Sequence, residues 1–169
     1  MAIIEYARNV CRIKDANTRE SNKKTKNYLI DIMKNQKNIK EKGGTMRLGK
    51  YPCNLKKSSK AYNAYKKIKI SERHRHRYEV NPSFHLKLKQ NGLILSGLSP
   101  DGKLVEIIEL KKHKWFLACQ FHPEFKSKPF SPHPLFKGFI KASTDSKNCL
   151  LYTSPSPRDQ RGSRMPACA

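Results

Sequence analysis

The chain has 169 residues, 37% of them hydrophobic, which is enough for one domain with a core of its own plus tails and too apolar for wholesale disorder. Its 36 Lys and Arg against 13 Asp and Glu give a formal charge of +23 at pH 7, so a polyanion is the first partner to consider, because a basic surface gathers phosphate and releases its counterions. No apolar run approaches the roughly 20 residues of a bilayer span, and the first residues lack the basic and apolar regions of a secretion signal; a soluble, cytoplasmic protein is expected.

Ile3, Ala7 and Val10 recur at helical spacing with Ile4 beside them, while Glu5 and Arg8 fall off that stripe. This predicts a core-facing helix over residues 2–10. It begins with no N-cap and no preceding strand, as though Met1 lay inside a longer reading frame. Residues 15–42 read as a polar surface excursion broken by the apolar run Tyr28 to Met33, which suits a strand or one helical turn. The paired Gly43 and Gly44 allow a tight turn before a short strand, and Ser58 to Tyr65 has the start of a helix.

From Ser71 the pattern becomes the alternation Arg73-His74-Arg75-His76-Arg77, followed by a helix around residues 83–90 closed by Gly92. Three strands are expected next, over Leu93 to Leu98, Leu104 to Leu110 and Trp115 to Phe121. The first two are separated by Ser99-Pro100-Asp101-Gly102, a turn in which Pro presets φ and Gly accepts a positive one. Leu135 to Ile140 reads as a closing helix with Pro134 in its first turn. Residues 149–169 lack apolar periodicity and concentrate Ser, Pro and Arg. The stretch Cys149 to Asp159, CLLYTSPSPRD, resembles the in-frame translation of a transposon-derived sequencing adapter. The expected organisation is therefore a domain over 1–145 and a non-native tail over 146–169.

His122-Pro123-Glu124 follows the most apolar strand. A carboxylate two residues from a His can orient the ring so that its other nitrogen acts as a base toward a thiol or hydroxyl. No cysteine offers itself as the nucleophile. Cys119 lies three positions earlier on the same strand and so faces away from His122, and Cys11 and Cys53 have no flanking glycines of an elbow. With Cys149 and Cys168 added there is still no CxxC pair, so neither a zinc site nor a disulfide framework is indicated. In a strand, Arg73, Arg75 and Arg77 share one face and His74 and His76 the other. The arginine face suits RNA or a bidentate clamp on a carboxylate. A His74/His76 metal pair finds no nearby Cys or Asp to complete it, and no metal is expected. The Lys residues, scattered singly or in pairs, read as a solvated surface and Lys-for-Arg replacement in an AT-rich genome, so nucleic acid is not the expected partner.

Taken together, AIIEYARNV (2–10), GGTMRLG (43–49), ERHRHRYEVN (72–81), SPDGKLV (99–105) and CQFHPEF (119–125) resemble the CTP synthase family, nearly continuously from Met1 to about Ser143. The resemblance implies an α/β fold of the class I glutamine amidotransferase type, flavodoxin-like, with a mostly parallel central sheet, helices on both faces, and the N-terminal side incomplete. It implies an enzyme that makes CTP from UTP with ATP and glutamine, in which this part supplies ammonia to an amidoligase domain of the same chain within a homotetramer. ATP and magnesium would belong to that other domain, and no cofactor to this segment. By position, His122 resembles the general base, Glu124 its orienting carboxylate, and Glu20 and Arg77 the residues that pair with the ammonium and carboxylate of glutamine. The family's Gly-Ile-Cys-Leu-Gly-Met-Gln elbow would precede Met1, so the segment is expected to be inactive alone. One local departure is Asn17-Thr18-Arg19-Glu20 where the family has Asn-Ser-Thr-Glu. The alternative from another class is a basic RNA-binding module built on Arg73 to Arg77.

Overall fold

The computed structural model describes residues 1–32 and 47–150, with side chains to residue 146. The expected turn at Gly43-Gly44 and residues 151–169 of the expected tail lie outside the described residues.

Helix α1 (Ala2–Asn9) turns Ile3, Ile4 and Ala7 inward, as their spacing requires, while Val10 caps the C-terminus and stays exposed. The chain then reaches β1 (Asn17–Thr18) and β2 (Tyr28–Ile32). The apolar run from Tyr28 is thus a strand and not a helical turn. β3 (Arg47–Leu55) is long, and α2 (Lys60–Tyr65) links it to β4 (Lys69–His76). A bend at Arg77 separates β4 from β5 (Tyr78–Val80). Asn81 then caps a short 3₁₀ turn, Pro82–Phe84, by accepting the Ser83 amide, and α3 (His85–Gln90) follows. Next come β6 (Leu93–Leu98), β7 (Val105–Leu110), β8 (Leu117–Cys119), a 3₁₀ turn over Pro123–Lys126 and α4 (Pro134–Leu150). α4 starts at the expected proline and runs on past residue 145. Among the described residues no helix is long and apolar enough to cross a membrane.

Two sheets form. β1, β2 and β5 make one, parallel between β1 and β2 and antiparallel between β2 and β5; the other has the order β4-β3-β6-β7-β8 and is antiparallel throughout. The mostly parallel pairing expected for the central sheet therefore occurs, among the described residues, only between β1 and β2. For β6–β7 and β7–β8 the cause is connection length: the links over 99–104 and 111–116 are too short for a parallel crossover, which takes roughly a dozen residues or more.

The antiparallel sheet separates two apolar clusters. One gathers α1, Leu29, Val80, Leu88, Leu95, Val105 and Ile108; the other gathers Cys53, Leu55, Ala61, Ile70, Ile107, Phe121 and Leu135. β7 is buried on both faces, with Val105 to Glu109 all covered. Burying Glu109 requires partners. Its carboxylate accepts the Lys60 amide (Oε2, 2.8 Å) and the Ala61 amide (Oε1, 2.8 Å), and Ser59 Oγ accepts the Tyr62 amide at 3.0 Å, so the first turn of α2 is held from a strand. A bulge at Ser96 shifts the β6–β7 register, and the freed Ser96 carbonyl accepts the Lys56 amide at 2.8 Å.

Candidate active site

His122 and Glu124 come together as their spacing predicts. His122 Nδ1 lies 2.7 Å from Glu124 Oε1 at the start of the 3₁₀ turn over Pro123–Lys126, and both side chains reach solvent. The Glu124 amide and the His122 ring hold this carboxyl below its usual range, so it accepts and His122 Nδ1–H donates. In the neutral ring the lone pair then sits on Nε2, the tautomer a general base needs. Backbone fixes the pair as well. The His122 amide donates to the Arg73 carbonyl at 2.9 Å, and the Arg73 guanidinium lies over the Phe125 ring at 4.8 Å.

The strand β4 that receives this loop carries a second tie. Lys126 Nζ donates to the Ser71 carbonyl at 2.6 Å and to Glu72 Oε1 at 3.2 Å, while the same oxygen accepts Tyr65 Oη at 3.0 Å and has His133 Nε2 3.4 Å away. Burial pushes the Glu72 carboxyl up, but His133 and Lys126 outweigh it and hold it below the ordinary range. None of these partners was legible in the sequence, because Tyr65 on α2, Glu72 on β4, Lys126 in the 3₁₀ turn and His133 just before α4 are far apart along the chain.

Arg77 sits at the bend between β4 and β5, half-buried. Arg73 and Arg75 share the exposed face of β4 as expected, whereas the bend takes Arg77 off that strand. Its Nε is buried and has no hydrogen-bond partner among the described residues. Glu20 is exposed in a turn after β1, its amide donating to Thr18 Oγ1 at 3.3 Å. Arg19, where the sequence departs from the family pattern, anchors that turn. Its amide donates to the Ile30 carbonyl at 2.9 Å, its guanidinium pairs with Asp31 and lies 3.8 Å over the Tyr28 ring. The Glu20 turn follows β1 and the Arg77 bend precedes β5, the two strands that flank β2 in this sheet.

Behind β4 lies a buried ionic cluster. Arg47 Nη1 is 2.6 Å from Glu106 Oε1 and 3.3 Å from Glu79 Oε1. Burial, reinforced by Glu106, raises Glu79 to about 7, and burial also raises Glu106; Arg47 opposes both shifts. His74 and His76 are pushed down to about 3 and about 4, first by burial and then by the Arg47 charge. The third side chain missing from the His74/His76 pair in sequence is supplied here by Glu106 from β7.

The three described thiols are not nucleophiles in waiting. Burial raises Cys11 and pushes Cys53 and Cys119 up to about 12, far from the thiolate that attacks an amide. Cys119 Sγ instead lies 3.6 Å from the Phe121 carbonyl.

Residues 1–142 match the family model for glutamine amidotransferase class-I. The CTP synthase of Clostridium kluyveri is 58% identical over 147 residues, covering 87% of this chain and 27% of the relative, and that of Chlorobium phaeobacteroides is 57% identical over 144 residues, covering 85% and 26%. The chain thus spans about a quarter of the length of these curated relatives. Among solved structures, the glutaminase domain of Trypanosoma brucei CTP synthase with bound acivicin superposes with a TM-score of 0.79 at 38% identity, covering 85% of this chain and 56% of that one. With a His-Glu pair fixed to β4 and the family model spanning most of the sequence, the chain belongs to the class-I glutamine amidotransferase family.

Proposed function

We propose that this chain is the C-terminal part of the glutaminase domain of a cytoplasmic CTP synthase, carrying the general base and half of the glutamine pocket. The observation that carries this reading is the 2.7 Å pair of His122 Nδ1 with Glu124 Oε1, on a loop tied by backbone to the strand that leads to Arg77. The likeness to CTP synthases supports it. His122 Nε2 accepts the proton of an attacking thiol, and Glu124 holds the ring and steadies the imidazolium that forms. The Arg77 guanidinium clamps the α-carboxylate of glutamine, and Glu20 pairs with its α-ammonium. In the whole enzyme the ammonia released passes to an amidoligase domain, which uses ATP and magnesium to aminate UTP within a homotetramer.

Burial raises the thiols of Cys11, Cys53 and Cys119, so none of these three serves as the nucleophile and no glutamine hydrolysis is expected from the 169-residue chain alone. The test has two arms. Glutamate release by the purified chain should be indistinguishable from buffer, and turnover there would overturn the assignment. Fusing the elbow-bearing segment of a CTP synthase glutaminase domain ahead of Met1 should confer hydrolysis. In that fusion His122→Ala lowers kcat by about 10²–10⁴-fold, the worth of a positioned base, while Arg77→Lys acts chiefly on KM by removing the planar fork.

A further inference from the structure

We propose that His74, His76 and Glu106 form a binding site for one divalent transition-metal ion of the zinc type. His74 and His76 lie on the same face of β4 because they are two residues apart, opposite the exposed Arg73 and Arg75. Across that face Glu106 of β7 reaches the same point. His74 Nδ1 is 2.9 Å from His76 Nε2 and 3.5 Å from Glu106 Oε2, and one ligand atom from each of the three falls within 4.8 Å of the others. A tetrahedral ion with ligands at about 2.1 Å spaces them about 3.4 Å apart, so small side-chain adjustments suffice. Two imidazole nitrogens and a carboxylate oxygen are the donor set of three-ligand zinc sites that keep a fourth position open.

Two further observations point to a ligand there. One is Glu106 Oε2, which is buried without a hydrogen-bond partner among the described residues; the other is that the His74 and Glu106 side chains are both fully covered. Arg47 takes Oε1 of Glu106 at 2.6 Å and leaves the lone pairs of Oε2 unused beside the two rings. The surroundings are also those of a ligating histidine. His76 Nδ1 lies 3.3 Å from Glu79 Oε1, which orients the ring with Nε2 toward His74, the carboxylate–histidine arrangement that supports metal ligands. Gln120 is held beside this ring by donating its side-chain amide to the Tyr78 carbonyl at 2.7 Å. Tyr51 and Phe121 wall the site, their rings 5.7 Å and 5.9 Å from His74.

Cobalt(II) titration of the purified full chain tests this, followed by visible absorption and by competition with zinc. The expected result is one equivalent bound with the ligand-field bands of tetrahedral cobalt and without the near-ultraviolet charge transfer of thiolate ligation. His76→Gln, at the one ligand of the three that is not fully covered, should weaken binding by about tenfold or more and lose those bands, with circular dichroism reporting that the fold persists. Glu106→Gln should do the same, and exposed His113→Gln should leave binding unchanged. No uptake at micromolar metal, thiolate charge-transfer bands, or binding that survives His76→Gln would overturn the proposal.

Discussion

Arg47 is 7% exposed and stands between two carboxylates that are themselves buried. Removing one partner of such a cluster leaves charge uncompensated in a medium that solvates it poorly. Arg47→Met is therefore expected to cost about 3–5 kcal/mol, read as a lowered urea midpoint with an unchanged slope. Glu72 gives a pH signature instead. Its folded carboxyl titrates below the ordinary 4.5, so its contribution is complete above about pH 4.5 and is lost as pH falls through the depressed folded value. Urea unfolding of the chain and of Glu72→Gln should differ by a constant amount near neutrality and converge in acid; a gap that widens in acid would reverse the sign. At this scale the sequence was partly readable. His122 and Glu124 are two residues apart, and the alternation of a strand sorts Arg73 and Arg75 from His74 and His76. Arg47 finds Glu79 and Glu106 32 and 59 positions away, and no local pattern encodes such a meeting.

Gly97 shows how an element depends on a missing side chain. A Cβ there would lie 2.8 Å from Ile107 Cγ1 and 2.9 Å from Cys53 Sγ, both in the packed second cluster. Gly97→Ala should destabilise by about 1–3 kcal/mol through overpacking, and pairing it with Cys53→Ala, which removes the Sγ that the new Cβ meets, should recover part of the loss in a double-mutant cycle. The local signals that held were those with one local cause: Gly102 with φ +71° in the Ser99–Gly102 turn and Gly92 with φ +96° after α3; the helix expected from Ser58 is capped one residue later, by Ser59. β3 is longer than its residues imply, because Gly49 and Pro52 read as breakers while its pairing with β4 runs from Arg47–His76 to Asn54–Lys69. β8 is shorter than its apolar pattern. The Gln120 side chain leaves to donate to the Tyr78 carbonyl at 2.7 Å, and the His122 amide goes to β4, which turns the chain out of the ladder and into the site. α4 overran its expected end because 139–150 contain no Pro or Gly to stop a helix.

Across the molecule, the +23 charge that dominates the composition says little about how the interior is held. Of the 13 acidic residues, Glu72, Glu79, Glu106 and Glu109 are buried and bonded inside, which leaves the surface more basic than the total implies. The family is written in motifs, whereas the arrangement of two clusters about one shared strand is a product of long-range packing. The Glu109 contact to α2 also sets an order in time. A six-residue helix is far below the roughly 12–15 residues that persist alone in water, and this one has its first amides held by a carboxylate 48 and 49 positions further along. α2 must therefore consolidate after the β6–β7 hairpin. Glu109→Gln should accelerate unfolding in stopped-flow measurements while leaving the refolding rate nearly unchanged, so that a slowed refolding arm would place the helix earlier. The contact that completes α2 is thus among the last to close and the first to let go.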